Sequence, residues 1–280
     1  MSFFSTNPFV ERLQQCAGSP WTLHEAQSQL DALVLQPLPL SPDSPWAETA
    51  PFLEFLTDIS HRRLVACFLG GHTTKYWTFE ALLLQTRPSS PHALREALEQ
   101  CVFWQIAIVQ EDATTWHGHS RLAVLNNIGW TFEWILQALL EREYAALVRR
   151  HVRLNEIAAL GEIDILAFLN TGQSLLIECK SSSKGLTNSQ LDRFIAKGRG
   201  FSADRSLLLI DTDDPHQTQQ RIGQVGQAMQ RAFGDASVGA IQRVAGSSIV
   251  CMHDTLYLAD TGGGIMTTLQ AVLTGTPEHP

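Results

Sequence analysis

Two acids and a lysine, Asp164, Glu178 and Lys180, stand in neighbouring apolar runs of this 280-residue chain. The first run is Gly161-Glu162-Ile163-Asp164-Ile165-Leu166-Ala167. The second, Leu175-Leu176-Ile177-Glu178-Cys179-Lys180, follows a turn at Asn170-Thr171-Gly172. Alternate residues of a strand point to one face, so Glu178 and Lys180 emerge together, and a hairpin partner strand brings Asp164 alongside them at one sheet end. Charged groups beside apolar runs are costly to desolvate unless a cation or hydrogen bonds compensate. Hard carboxylate oxygens from Asp164 and Glu178, with the Cys179 backbone carbonyl, suit Mg²⁺ or Mn²⁺ and leave waters that exchange with a phosphate. A cation held there polarises a phosphoryl oxygen and activates water, while Lys180 orients that water or neutralises charge developing on phosphorus. Phosphodiester hydrolysis is the chemistry these residue types suit. The other reading of the same residues is a cross-strand Asp164–Lys180 ion pair, worth under about 1 kcal/mol if exposed.

Asp164 followed by Glu178-Cys179-Lys180 resembles the PD-(D/E)XK, or restriction-endonuclease-like, nuclease superfamily, and the resemblance covers residues 126–214. Asp164 takes the place of the first motif acid, the tripeptide matches (D/E)XK, and Ile163 stands where the motif has its proline. What the resemblance implies is an α/β (α+β) fold with a mixed sheet flanked by helices, and a Mg²⁺- or Mn²⁺-dependent endonuclease. It also implies further site residues. Glu133, in Gly129-Trp130-Thr131-Phe132-Glu133, matches an acid supplied by the preceding helix as a catalytic residue and metal ligand, with a plain helix-surface residue as the alternative. Gln190, in Gln190-Leu191-Asp192-Arg193-Phe194, matches a helix glutamine that approaches the metal site or the nucleic acid. Lys184, Arg193 and Lys197 bind phosphate in this reading and are ordinary surface in the other.

Glu162 and Asp164 with the following Ser181-Ser182 also resemble the nuclease half of CRISPR-associated effectors that join a cyclic-nucleotide sensor to such a domain. No Gly-rich loop after a strand marks a sensor half in the N-terminal part. Glu162 itself reads as an acid that either supports the site from behind or faces solvent. The substrate expected is DNA ahead of RNA, in nucleic-acid defence or processing. A homodimer is expected because cutting both strands of a duplex takes two active sites and the chain has one candidate set. The alternative is a non-catalytic DNA-binding or regulatory protein.

The elements that position these residues fall into three segments. Residues 1–45 form an arm with a helical pattern over Thr22–Leu33 followed by Pro37, Pro39, Pro42 and Pro45, and its apolar residues are expected to pack on the rest of the chain. Residues 46–125 read as helices over Ala50–Leu69, Thr78–Leu84 and from Pro91 through Cys101, then short apolar runs at Ile106–Val109 and Leu122–Leu125 either side of a turn at His117-Gly118-His119. This pattern resembles a winged helix-turn-helix domain. Its third helix offers Arg95 with Glu96 and Glu99, a poor set for phosphate contact, so packing or dimerisation competes with DNA reading. His117 and His119 read as turn residues rather than metal ligands. Residues 126–280 alternate: a helix over Trp130–Leu147, extended segments at Val148–Leu154, Ile163–Leu169 and Ser174–Cys179, a helix over Ser189–Gly198, a strand at Ser206–Ile210, a helix over Gln217–Phe233, and a hairpin from Ile249–Met252 to Thr255–Leu258. Strands separated by a helix call for at least one parallel pair.

Composition sets the outer bounds. A hydrophobic share of 44% with 17% charged residues fits a folded globular chain of two domains. Five cysteines, none in a CxxC pair, indicate neither a disulfide framework nor a structural zinc site. The net charge of −8 excludes a protein that coats nucleic acid non-specifically, although Arg149, Arg150, Arg153, Lys180, Lys184, Arg193 and Lys197 gather in the least acidic part. No stretch reaches the roughly 18–20 apolar residues of a bilayer crossing, and Met1–Thr6 lacks a basic lead into an apolar segment, so a cytoplasmic protein without membrane contact is expected.

Overall fold

The computed structural model describes residues 8–15, 49–69, 75–110, 114–119, 128–181, 186–234, 241–244, 249–252 and 255–274. They fall into two units, one of residues 36–135 and one that joins residues 1–35 to 136–280. The expected helix over Thr22–Leu33, the run Leu122–Leu125, Lys184 and the tail after Glu278 lie outside the described residues.

In the unit of residues 36–135, the single helix expected over Ala50–Leu69 is two, α2 (Thr49–Thr57) and α3 (Ile59–Leu69), following the short α1 (Pro8–Gln15). The break is chemical. The Asp58 carboxylate accepts from Ser60 N at 2.7 Å and from Ser60 Oγ at 2.6 Å, which satisfies a donor of the second helix's first turn. Arg62, fully buried, donates Nη1 to the Leu56 and Thr57 carbonyls at the end of α2. Next come β1 (Trp77–Thr78), α4 (Phe79–Thr86) and α5 (Pro91–Phe103). Thr78 and Ser90 cap these two helices through Ala81 N and Ala93 N, and Pro91 occupies the first helical position, where its missing N–H costs nothing. β2 (Ala107–Val109) and β3 (Thr115–Gly118) complete a three-stranded antiparallel sheet in the order β1-β3-β2. The partner of β2 is therefore Thr115–Gly118, closer in sequence than the expected Leu122–Leu125. His117, expected in the turn, lies in β3 opposite Ile108, with its ring against Tyr76. A half-exposed strand of Thr, Trp and His has the side chains of a strand without an apolar run to announce it.

The other unit is mixed α/β. α6 (Ile128–Tyr144), which begins in the unit of residues 36–135, leads into β4 (Leu147–Val152), then a 3₁₀ segment (Asn155–Leu160), β5 (Ile163–Phe168) and β6 (Ser174–Lys180). α7 (Asn188–Phe201) crosses to β7 (Arg205–Ile210), and α8 (Pro215–Phe233) is followed by β8 (Ile241–Arg243), β9 (Val250–Met252), β10 (Leu256–Asp260) and α9 (Ile265–Thr274). The seven strands order as β4-β5-β6-β7-β10-β9-β8. β4, β5 and β6 form an antiparallel meander, β6, β7 and β10 are mutually parallel, and β9 and β8 return to antiparallel pairing. The parallel pair expected from the strand-helix-strand pattern is β6–β7, with α7 as the crossover. β8 and α9 are elements the sequence pattern does not announce.

Leu175-Leu176-Ile177 and Leu207 through Ile210 are near-continuous apolar runs because the central strands are covered on both faces. Leu166, Leu176 and Leu208 share one core with Leu191, Phe194 and Phe201 of α7 and Val225 and Met229 of α8. Phe9 of α1 joins it, its ring 5.1 Å from that of Phe168, so this part of the arm packs on the sheet as expected. No helix among the described residues is long and apolar enough to cross a membrane.

α7 approaches the sheet at Gly198. A Cβ there meets Leu256 Cδ2 at 2.8 Å and Ser206 Oγ at 2.9 Å, closer than side chains pack without something shifting. Gly198→Val is expected to lift the helix and lower unfolding free energy by roughly 2–3 kcal/mol, read as a lower denaturation midpoint at unchanged slope. An unchanged midpoint contradicts this close contact.

Candidate active centre at the β5–β6 edge

The β5–β6 ladder runs from Phe168↔Ser174 to Ile165↔Ile177, and one further step in that register sets Asp164 opposite Glu178. Directly opposed residues in an antiparallel pair share a face. The ladder opens at this step, and the Asp164 carboxylate enters the gap: Cys179 N donates to Asp164 Oδ2 at 2.7 Å. The Cys179 carbonyl, on the same edge of the extended strand as its N–H, faces β5 as well. Lys180 closes β6 two residues beyond Glu178, half-exposed, where its carbonyl accepts from Asp211 N. Asp164, Glu178 and Lys180 are thus brought to one sheet end.

Glu178 is 8% exposed, and its partner is the residue whose place differs most from expectation. Lys197, read from the sequence as a surface phosphate contact, is 5% exposed and donates Nζ to Glu178 Oε1 at 2.6 Å and to the Glu162 carbonyl. The reason lies in the helix. Lys197 is three residues after Phe194 and four before Phe201, both in the core, so the apolar face of α7 carries it toward the sheet.

Burial, and then the charge of Asp164, push the Glu178 carboxyl up to about 7, while Lys197 and Lys180 pull the other way. Glu162 behaves oppositely. It is half-buried, with Oε1 2.7 Å from His151 Nδ1 and Oε2 3.3 Å from Arg153 Nε, and the His151 hydrogen bond leads the effects that hold it below the usual carboxylate range. His151 lies between the pairs Arg150↔Ile165 and Val152↔Ile163, opposite Asp164, with a φ of 55°. A buried non-glycine residue in the left-handed region is strained and persists only where its surroundings fix it. No sequence signal marked His151.

Gln190 and Arg193 lie toward the start of α7. Gln190 closes a capping box at the start of α7: Thr187 Oγ1 accepts from Gln190 N at 3.3 Å, and Gln190 Oε1 accepts from Thr187 N at 3.0 Å. Its amide oxygen is thereby engaged in holding the helix. Arg193 is exposed, with Nε 3.4 Å from the Ser189 carbonyl. Glu133 is buried on α6, in the unit of residues 36–135. Among the described residues, no three His, Cys, Asp or Glu side chains come together to hold a metal ion, so Asp164 and Glu178 stand as a pair of carboxylates. No family profile, curated protein or solved structure matches the chain.

Proposed function

We propose that this chain is a metal-dependent nuclease that hydrolyses phosphodiester bonds, DNA ahead of RNA, in nucleic-acid defence or processing. The observation that carries the reading is the pair of acids at the β5–β6 edge: Glu178, buried beside Asp164, is pushed up to about 7. Two like charges in a half-buried position oppose folding unless something positive is meant to lie between them.

The donor set fits Mg²⁺ or Mn²⁺. Asp164 has one oxygen on Cys179 N and Glu178 one oxygen on Lys197, so each carboxylate keeps a hard oxygen for a cation, with the Cys179 carbonyl as a further donor. Such an ion, when bound, polarises a phosphoryl oxygen and lowers the pKa of bound water. The chain's own groups do the rest. Cys179 N fixes the Asp164 carboxylate, Lys197 fixes that of Glu178, and Lys180 neutralises charge developing on the phosphoryl group or orients the attacking water. Arg193 and the amide NH₂ of Gln190 lie on the same helix as Lys197 and would meet the nucleic-acid backbone.

A mixed sheet flanked by helices, with the acids and lysine on two adjacent strands, supports the restriction-endonuclease-like reading of this unit. In the other unit, helices followed by the β2–β3 hairpin, which joins β1 in a three-stranded sheet, support a winged-helix reading. Arg95 there lies over the Phe79 ring, and His92 is 3.4 Å from Glu96, which favours docking or dimer contact over DNA reading for α5. The chain is read as a homodimer, with a mass of two chains expected in light scattering. One observation favours a non-catalytic scaffold instead: Lys197 already neutralises one of the two acids.

Cleavage of plasmid and single-stranded oligonucleotides by the full chain separates the two. Cutting is expected with Mg²⁺ or Mn²⁺ and none with EDTA; no cutting under any divalent metal ends the nuclease reading. The pH profile carries a sign. A protonated Glu178 cannot hold a cation, so at limiting metal the rate rises as pH passes about 7, and the rise moves to lower pH as metal increases. Because the folded-state carboxyl sits above its unfolded value, its contribution to the stability of the metal-free protein is present at acid pH and is lost as pH rises to about 7.

A further inference from the structure

Glu178 meets an ammonium group rather than water, and this bears on how many divalent ions the centre accommodates. We propose that Lys197 is a positioning residue that holds Glu178 from behind and restricts the centre to one divalent ion per chain; the inference rests on the nuclease reading above.

Lys197 is 5% exposed, and its Nζ bridges Glu178 Oε1, at 2.6 Å, and the Glu162 carbonyl. Both acceptors are hard oxygens of the kind a divalent ion takes. The ammonium is held away from solvent because Lys197 lies on the buried face of α7 with Phe194 and Phe201. Glu162 is fixed in turn by His151 and Arg153 on its two carboxylate oxygens. A two-ion centre requires two cations about 3.5–4 Å apart clamping the attacking and leaving oxygens, usually through a shared carboxylate. Glu178 Oε1 accepts from Lys197 and Asp164 Oδ2 from Cys179 N, which leaves Glu178 Oε2 and Asp164 Oδ1 as the oxygens facing no donor among the described residues and favours a single ion between them. Charge gives the same count. One divalent ion balances the two carboxylates, and Lys197 with Lys180 then presents net positive charge to a phosphate; a second ion would lie against the ammonium. Holding a ligand by its other oxygen is also how residues behind a metal site tune its affinity.

The test is Mn²⁺ binding to the full chain, followed by calorimetry and by the electron paramagnetic resonance of free Mn²⁺, for wild type, Lys197→Met and Lys197→Arg, beside melting curves and cleavage rates. Wild type is expected to bind one Mn²⁺ per chain. Lys197→Met, once shown to be folded, is expected to bind at least about tenfold more weakly, and Lys197→Arg, which keeps a cationic donor, to restore most of the loss. Two Mn²⁺ per wild-type chain overturn the inference, as does a Lys197→Met protein that melts and binds Mn²⁺ like wild type. Should the Met variant not fold, the wild-type stoichiometry and the Arg variant decide: one ion with affinity kept in Lys197→Arg supports the proposal, and two ions, or a folded Arg variant tenfold weaker, refute it. Wild type that cuts nucleic acid while Lys197→Met matches it sinks this inference alone. Wild type that neither binds Mn²⁺ nor cuts sinks the nuclease reading together with it.

Discussion

The Asp164→Asn variant is expected to cut nucleic acid at least about a hundredfold more slowly than wild type, with a matching loss of metal affinity. The substitution keeps the shape and leaves an oxygen able to accept from Cys179 N, so the opened end of the β5–β6 ladder is preserved. What disappears is one of two negative charges. That charge also raises the Glu178 carboxyl, so its removal lets Glu178 fall back toward its ordinary value and relieves a repulsion in the metal-free protein. Melting temperature without metal should therefore hold or rise while activity collapses. A buried structural acid behaves the other way, losing stability when neutralised and leaving catalysis alone. An Asp164→Asn protein that cuts as fast as wild type would show the constellation to be structural.

Lys180→Ala is expected to lower the cleavage rate by about a hundredfold or more through a different route. Lys180 ends β6 half-exposed and holds neither carboxylate in an ion pair; the pair at the centre belongs to Lys197. Its loss leaves Asp164 and Glu178, the proposed metal ligands, in place, so Mn²⁺ affinity at alkaline pH is expected to stay near wild type, and the core, to which it contributes nothing, to stay folded. Lys180 is one of two cations that draw the Glu178 carboxyl down, so in the variant the pH-dependent rise of residual activity moves to higher pH. The decisive comparison is the rate at saturating Mn²⁺. Recovery there to the wild-type rate would reduce Lys180 to an electrostatic aid to metal binding and remove it from the chemistry.

The strands that carry the acids were legible almost to the residue, because Ile163–Phe168 and Ser174–Lys180 are apolar runs separated by a glycine turn, a pattern few other structures satisfy. The break at Asp58 was not, since Asp58 interrupts an otherwise continuous helical periodicity and only its bond to Ser60 turns it into a cap. β3 was not legible, because Thr115 and Trp116 make a strand without an apolar run, whereas Leu122–Leu125 has the apolar run that a strand usually shows. Lys197 could have been found. A lysine spaced three from Phe194 and four from Phe201 lies on the apolar side of its helix, and a charge there implies a buried partner, although the surface is where lysines usually lie. His151 could not, since neither its backbone conformation nor its bond to Glu162, eleven residues away, leaves a local trace.

β10 lies between β7 and β9, although β7 precedes it by a whole helix and two strands. As the chain leaves the ribosome, β7 can pair with β6 as soon as α7 has crossed over, but its other edge stays bare until Leu256–Asp260 arrives. That edge belongs to a run whose residues from Ser206 to Ile210 are all buried in the finished protein. A bare, apolar edge strand is a template for pairing with another chain. The order in which synthesis delivers the strands thus leaves this apolar edge open to self-association in nascent protein until β10 arrives.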